Sequence, residues 1–91
     1  MSDSVSDAVA TRPVVRLSGD VARNFAHLPP HQAAEAVATH LTKFWEWRML
    51  RELVTLARAG EPGLDPLVLD AVRDVLAAQV DEQQLREPSG G

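Results

Sequence analysis

The side chains that could carry chemistry are few, and their spacing argues against a reaction centre. His27, His31 and His40 are the three histidines. His27 and His31 stand four apart, the step that aligns two metal ligands on one helix, but Pro29 and Pro30 lie between them and prevent a common helix. There is no His-Glu-x-x-His run, and the serines (Ser2, Ser4, Ser6, Ser18, Ser89) have no Gly-x-Ser-x-Gly setting. Carboxylates are plentiful, yet none is spaced as a tuned acid–base pair. The loop over 59–63, Ala-Gly-Glu-Pro-Gly, is too short and too acidic to cradle phosphates. The absence of cysteine excludes disulfides, thiolate zinc sites, iron–sulfur ligation and thiol nucleophiles. Catalysis by this chain alone is not expected, and no cofactor is assigned to it.

What stands out instead is Lys43-Phe44-Trp45-Glu46-Trp47-Arg48-Met49. The chain holds four aromatic residues, and three of them fall within the four positions 44–47. On one helix their rings would fan over roughly 160°. A core of this size absorbs one or two such rings, so a third is left for the surface or for a partner. Trp, Arg and Met are also enriched where interfaces are fully buried. The segment therefore reads as a mixture of core and interface. The plainer alternative is a helix–helix corner of the core alone. His40, next to Leu41, borders the same surface. Arg48, Arg51 and Arg58 fall along one side of the following helix, where they either meet local carboxylates or orient a larger acidic partner.

The elements that would position these residues follow from apolar periodicity. Val14, Leu17, Val21, Phe25 and Leu28 recur at steps of three and four and predict a helix over 14–28, weakened by Gly19 and stopped by the Pro29-Pro30 pair. Ala34, Val37, Leu41, Phe44 and Trp45 predict a second helix over 31–45. Met49, Leu50, Leu53, Leu56 and Ala57 predict a third over 48–59, closed by Gly60. With Phe44 at zero, the second stripe centres near ~40° and the third near ~180°, so the chain must break between Glu46 and Arg48. The last helix, 66–82, starts at an Asp65 cap with Pro66 in its first position and Leu64 set to staple on Leu69. Its stripe is Val68, Leu69, Val72, Val75 and Leu76. No segment alternates with period two. The expectation is an all-α bundle of about four helices: one domain over 13–82, between a disordered segment at 1–12 and a disordered tail at 83–91.

Length and charge set the outer limits. Ninety-one residues make one small domain, marginal enough for a partner to complete it. The formal net charge is −4, and it is uneven: 1–28 is neutral, 29–59 carries +1 and 60–91 carries −5. That balance disfavours nucleic acid, which demands a basic excess. No apolar run approaches a membrane span, and the acidic start is not a secretory signal, so the expected compartment is the cytoplasm.

Three blocks in this order resemble a known family: Arg16-Leu17 through Phe25; Ala36-Val37-Ala38-Thr39-His40-Leu41-Thr42-Lys43-Phe44-Trp45 with Arg48-Met49; and Gly63-Leu64-Asp65-Pro66-Leu67-Val68 followed by Ala71-Val72. Together they resemble the small delta subunit of cytoplasmic, NAD-dependent, molybdenum-containing formate dehydrogenases. Two departures exist. Trp47 occupies the place of the family's usual proline in the central block, and Ser18-Gly19-Asp20 stands where the first helix carries Asn-Gln. The resemblance implies a non-catalytic accessory subunit that supports assembly, stability or cofactor loading of the large molybdopterin-binding catalytic subunit. The candidate partner-binding residues are His40, Lys43, Phe44, Trp45, Trp47, Arg48, Met49 and Arg51, with Leu64 and Pro66 at the start of the last helix. The rival readings are a free-standing regulatory or nucleic-acid-binding module and a self-associating bundle that forms a homo-oligomer when isolated.

Overall fold

Prolines start three of the four helical rods. A computed structural model describes residues 12–86, in which every regular element is helical. Helix α1 is Pro13–Phe25, α2 is Pro30–Phe44 and α3 is Trp47–Arg58. A fourth rod over 66–86 is composite: α4 (Pro66–Ala71), a π-helical segment (Val72–Leu76) and α5 (Ala77–Arg86). Pro13, Pro30 and Pro66 each sit in a first turn, where the missing N–H has no intrahelical partner to lose. The disordered segment expected at 1–12 falls outside the described residues except for Arg12, whose carbonyl accepts from the Arg16 N–H at 3.0 Å. The rod continues to Arg86, so 83–86 is helical, and the remainder of the expected tail lies outside the described residues.

Local chemistry sets the boundaries. α1 stops at Phe25 rather than 28, because the residue before a proline is barred from the α region and the chain must turn before Pro29. A turn over 26–28 follows, with the Leu28 N–H donating to the Phe25 carbonyl at 3.1 Å. α3 closes on Gly60 at φ +75°: the Glu61 N–H reaches back to the Leu56 carbonyl at 3.0 Å, and the Gly60 N–H to that of Ala57 at 3.1 Å. This paired closure needs a left-handed residue, which glycine supplies without strain. Gly63, at φ +99°, makes the second such turn beside Val15. The Asp65 carboxylate then accepts from the Leu67 N–H at 2.8 Å and caps α4.

The core is aliphatic. Leu41, Leu53, Leu76, Val37, Val54 and Val68 are its largest fully buried side chains, and no aromatic residue is among them. Alanines fill the contact faces: Ala22 on α1, Ala33, Ala34 and Ala38 on α2, and Ala71 on α4 are all buried. Such small residues draw helices together, since interaxial distance follows side-chain size at the contact. α2 packs most extensively on α4. Ser18 is the one buried polar side chain among the described residues, and its hydroxyl donates to the Val15 carbonyl at 3.0 Å.

Two predicted stripes are corrected. On α1 the buried face is Val14, Val15, Ser18, Val21 and Ala22, and Leu17 turns outward at 39 % exposure. Small side chains form the close contact there, and the larger Leu17 is rotated to its flank. On the last rod the buried line is Val68, Val72, Leu76 and Val80, with Ala71 beside it, whereas Leu69 is exposed and Val75 only half-buried. A four-residue step drifts by about 40° on an α-helix, so this line would wander by about 120° over three steps. The π segment, with its wider i→i+5 turn, takes up part of that drift and keeps the four side chains on the core.

α5 is tied back by polar contacts. Arg58 of α3 grips Asp81 through two bonds, at 2.9 and 3.2 Å, and the Thr42 hydroxyl of α2 meets the Gln79 amide oxygen at 3.1 Å. The guanidinium lowers the Asp81 carboxyl below its ordinary value, chiefly by hydrogen bonding. A carboxyl depressed on folding adds stability above its unfolded value of about 3.9, and that stability is lost as pH falls through the folded value. Asp81→Asn should therefore lower the urea midpoint slightly at pH 7, and the gap from the native chain should close under acid conditions. A second expectation concerns Gly19, where an added Cβ has no neighbour nearer than an Arg23 guanidinium nitrogen at 4.0 Å. Gly19→Ala should stabilise the chain by up to about 1 kcal/mol and raise Tm by roughly 4–8 °C in a thermal melt.

Candidate functional site

The elbow between α2 and α3 consists of two extended residues. Trp45 (φ −97°, ψ 145°) and Glu46 (φ −70°, ψ 151°) leave the α conformation. Trp45 still donates its N–H to the Leu41 carbonyl at 2.9 Å, and the Glu46 carbonyl accepts from Met49 and Leu50 at 2.9 and 3.1 Å. The break therefore falls one to two residues before the position the stripe phases predicted. Trp47 occupies the first position of α3, where proline is favoured, directly after a residue in the conformation a proline would impose. Tryptophan cannot fix that geometry through its backbone. Its ring is instead wedged against the core, half-buried, with the Arg51 guanidinium carbon 6.0 Å from the ring centre.

The aromatic residues line the rim of the core. Trp45, Trp47 and Met49 are half-buried and packed on the aliphatic centre, whereas Phe44 is 70 % exposed. His40 lies half-buried between two rings: its centroid is 4.8 Å from that of Phe44 and 6.0 Å from that of Phe25, the latter edge-on. These rings border an open groove of about 810 Å³ that also takes in Leu28, Lys43 and Val75. The predicted residues thus divide. His40, Lys43 and Phe44 share this groove. Arg48 and Arg51 line a separate one with Arg12. Trp45, Trp47 and Met49 brace the elbow between helices. Leu64 is a core residue, 8 % exposed, and Pro66 is exposed at the start of α4. Arg58, which shares a side of α3 with Arg48 and Arg51 in the sequence, is engaged with Asp81. Phe25 and Leu28, which the apolar periodicity places on a core stripe, also line the groove, Phe25 edge-on to His40.

Other chemistry is sparse. His27 and His31 are exposed, and no group of three His, Asp or Glu side chains is placed to hold a metal among the described residues. No helix among the described residues is long and apolar enough to cross a membrane. The Trp47 indole nitrogen is buried without a hydrogen-bond acceptor.

Residues 13–72, from the first residue of α1 to the first residue of the π segment, match the family described as NADH-dependant formate dehydrogenase delta subunit FdsD. The chain belongs to this family. No curated protein and no solved structure matches it. The matched residues include the elbow, His40, Lys43, Phe44 and the Asp65 cap. Arg12 and α5 lie outside the matched residues.

The unpaired indole donor yields a prediction. Trp47→Phe removes the donor together with its desolvation penalty while keeping a ring against the core, and it should change stability by less than about 1 kcal/mol. Trp47→Ala removes the wedge, and for a half-buried ring it should cost about 2 kcal/mol. Urea unfolding followed by circular dichroism separates the two.

Proposed function

We propose that this delta subunit is a non-catalytic accessory component of a cytoplasmic formate dehydrogenase. It docks on the large molybdopterin-binding catalytic subunit and supports that subunit's assembly, stability or cofactor loading. The reading is carried by Phe44. The aliphatic core closes without this ring, yet the ring stands exposed at the mouth of a groove, its neighbour His40 already stacked beside it. Leaving a phenyl ring in water forfeits roughly 1.5–3 kcal/mol of transfer free energy, which a covering surface recovers. Lys43, exposed on the same groove, would set orientation by meeting a carboxylate of the partner. Trp45, Trp47 and Met49 act from beneath, holding the elbow at the angle that presents Phe44. The redox groups belong to the larger subunits on this reading, and the lack of any cysteine in this chain is in keeping with it.

The test is co-purification. Phe44→Ser should leave the melting temperature within about 2 °C of native, since the ring is outside the core. It should also cut recovery of the catalytic subunit at least tenfold, because a single aromatic anchor is worth about 2 kcal/mol. Undiminished recovery would place docking elsewhere. Sedimentation of the isolated chain supplies a second check: a stable dimer abolished by Phe44→Ser would assign the same groove to self-association.

A further inference from the structure

On the flank of α3, away from the aromatic groove, the cations form no ion pair among the described residues. Arg23, Arg58, Arg73 and Arg86 each hold a carboxylate within the chain. Arg12, Arg48 and Arg51 form no ion pair among the described residues, and these three line one open groove of about 580 Å³. Glu52, Thr55, Leu56 and Gln84 complete its walls. The groove is built from three parts of the chain: the entry to α1, two turns of α3, and α5. The acids of α5 do not neutralise it, since Asp81 is bound to Arg58 and Glu82 to Arg86, and the α5 residue facing the groove is the neutral Gln84. A chain of net charge −4 thus keeps a local cationic surface, three arginines against Glu52, by pairing Asp81 and Glu82 of α5 elsewhere.

From this arrangement we infer that the groove receives an acidic stretch of polypeptide, with two or more spaced carboxylates. Arginine forks match carboxylates two bonds at a time. The groove follows α3 from Arg48 to Thr55, a rise of about 10 Å, which suits an extended segment better than a compact anion. Glu52 stands among the arginines. It repels a concentrated multiple charge such as a diphosphate, whereas separated carboxylates can straddle it. The Thr55 hydroxyl and the Gln84 amide offer further donors, and Leu56 gives an apolar floor. Arg51 also touches the Trp47 ring, so the groove adjoins the elbow. The inference thereby extends the docking reading by giving the partner a second, acidic contact beside its apolar one. Arg12 and Gln84 lie outside the family-matched residues, and the other lining residues lie within them.

The test uses the full-length chain and a fluorescein-labelled octaglutamate peptide, read by anisotropy at low ionic strength. Binding should be saturable and should weaken steeply as salt is raised, because exposed charges are screened over about 10 Å at 0.1 M. The pair Arg12→Gln and Arg48→Gln, which spares the Arg51–Trp47 contact, should weaken it roughly tenfold. Arg73→Gln removes a charge on another face and should leave it unchanged. Three results would overturn the inference: no binding, an equal loss with Arg73→Gln, or inorganic diphosphate binding where the peptide does not. Phe44→Ser should leave peptide binding intact. If the peptide fails to bind while Phe44→Ser still abolishes recovery of the catalytic subunit, the acidic contact is wrong and the aromatic docking stands.

Discussion

The close approach of α2 to its neighbours is the constraint from which the remaining features follow. Ala33, Ala34 and Ala38 on α2, Ala22 on α1 and Ala71 on α4 are buried almost completely. Helices spaced by methyl groups leave gaps that valine and leucine fill, and a core of that thickness has no room for an indole or a phenyl ring. The fully buried set is accordingly aliphatic, and all four aromatic residues lie at or beyond its edge. An aromatic rim is therefore a packing consequence of an alanine-lined core.

Two irregularities keep this core intact while aiming the rim outward. The extended pair Trp45 and Glu46 lets α3 restart with a different face inward, so Leu50, Leu53 and Leu56 are buried although their phase does not continue that of α2. The π segment does the complementary work on the last rod, holding Val72, Leu76 and Val80 on one line. Both cost regular hydrogen bonding or helix continuity, and both are supported by tertiary contacts: the Trp47 wedge in one case, and the α2 and α3 surfaces in the other. Trp47 stands where a proline would produce the same extended residue before it.

Charge is organised as deliberately as packing. Pairs on the last rod hold its acids, whereas Arg12, Arg48 and Arg51, which form no ion pair among the described residues, share one groove. Such surface pairs contribute little to stability. Their larger effect is on the field a partner meets: an acidic rod on one side, and on the other a cationic groove beside the half-buried Trp47 ring.

The sequence by itself determined whatever depends on neighbours along the chain. The Pro29-Pro30 pair announced the end of the first helix, Asp65 with Pro66 announced the start of α4, Gly60 announced a helix end, and incompatible stripe phases around Phe44 announced a break. These signals are legible because each acts through backbone geometry within a few residues. The delta-subunit resemblance was legible for a similar reason: its blocks are short and nearly continuous. Only the tertiary structure decided which apolar side chains are left outside. Leu17, Phe44 and Leu69 sit on periodic stripes and yet face solvent, because periodicity finds a face but the helix crossing selects which part of it is covered. It also decided the π turn, which local propensity does not specify, and the grooves. Phe25 with His40, and Arg12 with Arg48 and Gln84, are distant in sequence and meet only once all four rods have packed.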